Sequence, residues 1–386
     1  MINLLDICKI GGSAVKEFDG KKKYIATGDV NDNSIVTYEM VEFSNKPSRA
    51  NVEIKRDDVL FAKMINTEKV LMSDDKKTKN IYSTGFYCIT PNENVLQKYL
   101  YFLFKSKSFN VQKNRNCSGA TQKAINNEGL KKIKVKNLPD IDEQKNIVHS
   151  LSILEKLINI KKTEIEEMEQ IVKSQFVEMF GDPKSNDKNW IKAPMGDYMT
   201  VLTDFSSNGS YKTLDSTVVM YNEPKYAYMV RTTDLENDDY KNNVKYITKE
   251  AYNFLSKSKV YPDDIIMNKI GSAGKVYMMP DVGMPVSLGR NAFLFRYNDD
   301  IVPLFIYYLL KSEYGTNEIS QYVRGAVTKT ITKDDARKVK IIVPPIELQN
   351  KFADIVKQID KQKFEFEKSL KKLEELQEAL MQEYFG

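Results

Sequence analysis

The sequence predicts a mixed α/β fold built twice and tied together by two long helices that form an antiparallel coiled coil. Three observations carry this expectation. The chain repeats itself, a stretch without Gly or Pro closes each copy, and the segments between hold the short β-branched and aromatic runs of single domains. With 386 residues, 41% of them hydrophobic, there is room for two to three domains with separate cores.

The repeat is read directly. RDDVLFAKMINTEKVLM at 56–72 aligns without a gap with PDDIIMNKIGSAGKVYM at 262–278, keeping Asp57/Asp263, Asp58/Asp264, Lys63/Lys269 and Lys69/Lys275 in step. YFLFKS at 101–106 matches YYLLKS at 307–312, and Gly119 in RNCSGATQKAI matches Gly325 in YVRGAVTKTI. After a one-residue slip NLPDIDEQKNI matches VPPIELQNKF, and both copies end in Phe-Gly, at 180–181 and 385–386. A period of about 200 residues marks a duplicated domain, since solenoid repeats are several times shorter.

The first mixed segment alternates as strands do in KYIATGDV (23–30), DVLFAKM (58–64), GFYCIT (85–90) and KKIKVK (131–136). LQKYLYFLFKS (96–106) has helical spacing. PDIDEQK (139–145) holds carboxylates and a lysine of the kind a metal-dependent nuclease uses, but Asp140, Glu143 and Lys145 fall opposite Pro345, Leu348 and Asn350 in the second copy. Pro139/Pro344, Ile141/Ile346 and Gln144/Gln349 are what recurs, which reads as a proline stop and a helix start. Residues 142–180 and 347–385 then carry neither Gly nor Pro.

In the first of these runs Ile147, Leu151, Leu154, Ile158, Ile165, Met168 and Val172 follow steps of four and three, with Lys161 in one slot. Phe352, Val356, Ile359, Phe366, Leu370, Leu373, Leu380 and Tyr384 keep the same register in the second, with Lys363 and Gln377 as interruptions. Stripes this narrow want one partner helix each, and they match each other. GDPKSNDKN (181–189) is a polar, turn-rich linker, and Trp190 resumes packing.

Composition excludes several function classes. The formal charge of +5 is compatible with a nucleic-acid partner without requiring one. Cys8, Cys88 and Cys117 show no CxxC spacing and His149 is the sole histidine, so neither a disulfide framework nor a zinc site is expected. The thiols should be buried and reduced. No apolar run is long enough for a membrane span and the N-terminus lacks a signal pattern, so a cytoplasmic protein is expected. GSAGKV (271–276) lacks the length and the Ser/Thr of a phosphate loop and reads as a turn at a strand end.

The "DD(V/I)L…K" strand in each half, the "(S/R)GA…K.I" element at 118–125 and 324–331, the proline hinge with DEQKNIV at 142–148 and the helix ending FVEMFG together resemble the specificity subunit of a type I restriction-modification system. The resemblance covers essentially the whole chain; the second hinge departs from it at Leu348 and Asn350. It implies target recognition domains at 1–140 and 182–345 and long spacer helices at 141–181 and 346–386. It also implies a non-catalytic subunit that reads a bipartite, asymmetric target in double-stranded DNA. The expected partners are methyltransferase subunits, two of them, and restriction or motor subunits, with no membrane. No cofactor is expected on this chain; S-adenosylmethionine, ATP and Mg would belong to the partner subunits.

Under that reading, phosphates and base edges must be met by side chains. The loop after the repeated "DD" strand offers Lys63, Lys69, Lys269, Ser272 and Lys275. The Gly-Ala element offers Arg115, Gln122, Lys123, Arg324, Thr328 and Lys329, and Arg290 with Asn291 precedes a strand in SLGRNAFLF. Two other readings compete, a coiled-coil protein adaptor without DNA readout and a metal-dependent nuclease resting on PDIDEQK.

Overall fold

The computed structural model describes residues 1–31, 33–120 and 122–386. The chain folds into two compact units, one of Met1–Ile165 with Glu365–Gly386 and one of Glu166–Phe364. The same plan is executed in each. In the first unit a four-stranded sheet runs in the order Cys8–Ile10, Phe86–Pro91, Val59–Ala62, Val70–Met72, all neighbours antiparallel. In the second it runs Met199–Asp204, Ala292–Tyr297, Ile265–Asn268, Val276–Met278, again antiparallel. A second four-stranded sheet stands beside each, ordered Glu39–Val41, Lys22–Ile25, Ile81–Ser83, Ala50–Val52 in one unit and Tyr246–Ile247, Ala227–Val230, Val286–Leu288, Lys259–Val260 in the other. In both, the middle pair is parallel and the flanking pairs are antiparallel.

The helix read from LQKYLYFLFKS spans Gln97–Lys105, and its counterpart spans Pro303–Lys311. Each lays an apolar face on its sheet, with Leu100 and Phe104 in the first core and Phe305 and Leu309 in the second. DVLFAKM and GFYCIT form strands Val59–Ala62 and Phe86–Pro91. Two expectations change. KYIATGDV is a strand only over Lys22–Ile25, because Thr27–Asp29 forms a helical turn in which the Asp29 carboxylate accepts from the Ala26 amide at 2.8 Å. KKIKVK is a strand only at Lys134–Val135, because its sole ladder partner among the described residues is the two-residue strand Ile2–Asn3.

The "DD" signature is a turn device. Asp57 and Asp263 take left-handed backbone (φ 68° and 66°), which Asp tolerates better than most residues. Asp58 and Asp264 are buried acceptors: Asp58 takes the Lys55 amide at 2.7 Å and the Thr90 hydroxyl at 2.6 Å. Asp264 takes the Tyr261 amide and both arms of Arg296, each at 2.7 Å.

The long helices span Ile141–Phe180 and Ile346–Phe385, and their pairing is antiparallel. In the first unit Lys162 meets Glu374 at 3.1 Å, and Phe385 lies 5.2 Å from Tyr99. In the second, Lys363 meets Glu169 at 2.6 Å, and Phe352 packs on Phe176 and Phe180. Ile147, Leu151, Leu154, Ile158, Met168, Val172, Phe352 and Val356 are buried. Ile165, Ile359, Phe366, Leu370, Leu373 and Leu380 are half-buried. The polar interruptions have local answers, since Lys161 lies 4.0 Å over the Phe366 ring and pairs with Glu164.

PDIDEQK is a latch. Asp140 Oδ1 accepts from the amides of Asp142 and Glu143, capping the helix start, while Asp142 and Lys145 pair on the surface. Gln144, fully buried, accepts from the Leu96 amide and donates to the Asn94 and Pro139 carbonyls. Gln349 does the same with the Val302 amide and the Asp300 and Pro344 carbonyls. Pro-x-x-x-x-Gln therefore recurs because one amide side chain satisfies three backbone groups where a helix leaves the domain.

Candidate nucleic-acid interface

Backbone hydrogen bonds bring the two separate lysine signals of each half to one place. Strand Val59–Ala62 ends at Lys63, where the Ile125 amide donates to the Lys63 carbonyl and the Ile65 amide to the Lys123 carbonyl, both at 3.0 Å. In the second unit the Ile331 amide donates to the Lys269 carbonyl (3.0 Å) and the Gly271 amide to the Lys329 carbonyl (2.9 Å). Lys63 stands with Lys123, and Lys269 with Lys329, through the same two bonds. The Gly-Ala turn makes this possible. Gly119 and Gly325 sit at φ 127° and 104°, and a Cβ would lie 2.4 Å and 2.2 Å from the carbonyl oxygens of Gln122 and Thr328.

The exposed members of this edge are Arg115, Gln122 and Lys123 in the first unit, and Lys275, Arg324, Thr328 and Lys329 in the second. Ser272 is half-buried. The other lysines are engaged. Lys63 covers the Tyr87 ring at 4.4 Å, and burial pushes its ammonium below the ordinary lysine value. Lys69 reaches Asn31 Oδ1 at 3.3 Å. Lys269 is held by Asp204 at 2.8 Å, as is Lys333, which also donates to the Ser207 hydroxyl. Burial would raise the Asp204 carboxyl, but hydrogen bonds from the two ammonium groups and from Ser207 outweigh it and hold the group far below the usual carboxylate range. Arg324 reaches Asp335 at 3.3 Å yet remains 73% exposed. Arg290 pairs with Asp215 and lies 5.2 Å over the Phe205 ring, and the Asn291 carbonyl accepts from the Lys269 amide.

Sequence reasoning missed two groups here. Asp204 and Lys333 lie far from Lys269 along the chain, and no spacing joins them. Arg231 and Asp234 carried a readable signal, because RTTD at the end of strand Ala227–Val230 aligns with ATGD at 26–29. The thiols of Cys8 and Cys88 are buried, Cys117 is half-buried, and burial pushes Cys8 up to about 12, far from reactive thiolate values.

The type I restriction modification DNA specificity domain, as a family model, matches residues 1–170 and again 201–378. The MjaVIII specificity subunit of a type I restriction enzyme from Methanocaldococcus jannaschii is 23% identical over 380 residues, covering 93% of this chain and 85% of the relative. A solved chain from work on the assembly and conformational transition of the type I restriction-modification system shares the fold, with a TM-score of 0.60 at 18% identity over 99% of this chain and 96% of that one. So does the type I restriction-modification S subunit from M. genitalium, with a TM-score of 0.55 at 16% identity over 99% and 94%. Matched in both of its copies, the chain belongs to the type I restriction-modification DNA specificity family.

Proposed function

We propose that the chain reads a bipartite, asymmetric DNA target, with 1–140 and 182–345 as target recognition domains, each meeting one half-site along the edge where Lys63 joins Lys123 or Lys269 joins Lys329. As a member of this family it is a DNA-specificity subunit and not an enzyme. The observation that carries the reading is the twice-built edge, where one backbone scaffold presents different side chains. Arg115-Asn-Cys-Ser stands in one copy and Gln321-Tyr-Val-Arg in the other, so the half-sites differ. Lys123, Lys275 and Lys329 are the phosphate contacts in this reading, because they are exposed and carry no carboxylate partner among the described residues.

A second duplication supports two copies of one partner. In the first unit a groove of ≈ 200 Å³ is lined by Phe102, Lys105, Glu374, Gln377 and Met381, among others. In the second, a groove of ≈ 700 Å³ is lined by Tyr308, Lys311, Glu169, Val172 and Phe176, which are the repeat equivalents. Two grooves at repeat-equivalent positions, unlike in volume, fit two methyltransferase subunits, which supply S-adenosylmethionine chemistry; ATP and Mg belong to the restriction or motor subunits. No helix among the described residues is long and apolar enough to cross a membrane. We place the complex in the cytoplasm, with the chromosome.

The test is the salt dependence of duplex binding. Lys123→Ala and Lys329→Ala should weaken binding to all sequences and each flatten the slope of log K against log salt by about 0.9. Unchanged slopes in both variants would remove this edge from the interface.

A further inference from the structure

The duplication supplies an internal control for every side chain, and one pair of arginines stands out against it. Strand Ala227–Val230 runs parallel to Val286–Leu288, and the residues just past their C-terminal ends, Arg231 and Arg290, line a cavity of ≈ 280 Å³ with Phe205, Val218, Met220 and Met229. Arg231 is fixed: Nε and Nη2 donate to the two oxygens of Asp234 at 3.1 and 2.6 Å, and Nη2 also reaches the Asn243 carbonyl at 2.7 Å. Asp234 is buried and takes the Tyr228 hydroxyl as well, at 2.8 Å. Nη1 of Arg231 makes no hydrogen bond among the described residues, and the side chain is 30% exposed.

The first unit shows that the turn does not need this arginine. There Asp29 caps the Ala26 amide at 2.8 Å, as Asp234 caps the Arg231 amide at 2.9 Å, with alanine in the arginine's position. Likewise the Lys63 amide donates to the Gly85 carbonyl and the Lys269 amide to the Asn291 carbonyl, which sets Thr84 opposite Arg290. Both arginines are therefore additions to the second unit alone.

Their charge state narrows the ligand. Each guanidinium already has a carboxylate partner, Asp234 or Asp215, so each pair is neutral and pulls little on a phosphate. What remains are directional N–H donors beside an apolar wall, which suits the neutral acceptors of a base edge. We infer that Arg231 and Arg290 form the specificity pocket of the second half-site and read the O6/N7 edge of a guanine in the major groove. This rests on the DNA-reading function proposed above, and it predicts a guanine requirement with no counterpart set by Ala26 and Thr84 in the first half-site.

The test uses the full chain co-purified with its partner subunits. A randomised duplex pool is selected on the wild type and on Arg231→Ala, Arg231→Lys and Arg290→Ala, and the bound duplexes are sequenced. Arg231→Lys keeps the charge opposite Asp234 while removing the free Nη1 donor, so its thermal unfolding controls for folding. Guanine preference at a single position of one half-site should fall roughly ten- to a hundredfold in all three variants, with the other half-site unchanged. A loss spread evenly over all sequences would make these arginines backbone contacts and overturn the inference. So would an unchanged guanine preference in the folded Arg231→Lys protein. A wild type that selects no sequence would instead overturn the DNA-reading function itself.

Discussion

Asp204 shows how a single residue is set by its surroundings. Two ammonium groups and a hydroxyl converge on a carboxylate that is nearly inaccessible to water, and they depress its pKa below the unfolded value. A depressed carboxyl adds stability above its unfolded pKa of about 3.9 and loses it as pH falls through the folded pKa. Acid should therefore destabilise the second unit progressively below about pH 4. Asp204→Asn should lower stability at neutral pH and flatten that acid limb, and urea unfolding between pH 7 and pH 2 reads both. An acid limb as steep as in the wild type would mean that Asp204 is not its source. The repeated lysines were legible in the sequence because they keep step; their engagement was not, because Asp204 and Lys333 are distant in sequence from Lys269. The "DD" pair was visible as a strand signature, whereas its task, a left-handed turn plus a buried acceptor, shows only once Asp58 and Asp264 have partners.

At the scale of elements, the long helices were readable to within one residue, since a run this long without Gly or Pro, its apolar residues at steps of four and three, exceeds an ordinary strand and suits a helix. Short strands were not, because a two-residue ladder such as Lys134–Val135 is set by its partner and not by its own alternation. The latch glutamines sit between these cases: their repetition was visible and their role was not. Gln144→Leu should cost about 1–3 kcal/mol, since the Leu96 amide and two carbonyls lose their partner in a buried site. A stability unchanged in chemical denaturation would mean that water replaces the amide. The last turn of the second helix belongs to the first unit, with Phe385 in its core against Tyr99. Phe385→Ala should destabilise by about 3–5 kcal/mol, and hydrogen exchange should quicken in residues 1–140 while 182–345 keep their protection. Faster exchange in 182–345 alone would contradict that assignment.

For the whole molecule we propose that the two recognition domains read one target, with the antiparallel helices as the spacer that sets the distance between half-sites. The sequence supports it through matched stripes, and the pairing of Lys162 with Glu374 and of Lys363 with Glu169 gives their direction. Each helix passes from one compact unit to the other at Ile165–Glu166 and Phe364–Glu365. Inserting one heptad at both points keeps the packing register and adds about 10.5 Å of helix. At about 3.4 Å per base pair that is roughly three base pairs. The decisive measurement is the methylation motif, mapped by sequencing, of cells carrying the double-insertion variant with its methyltransferase partner. Unchanged half-sites separated by about three more base pairs are expected. A folded, active variant that methylates with the original spacing would contradict this proposal.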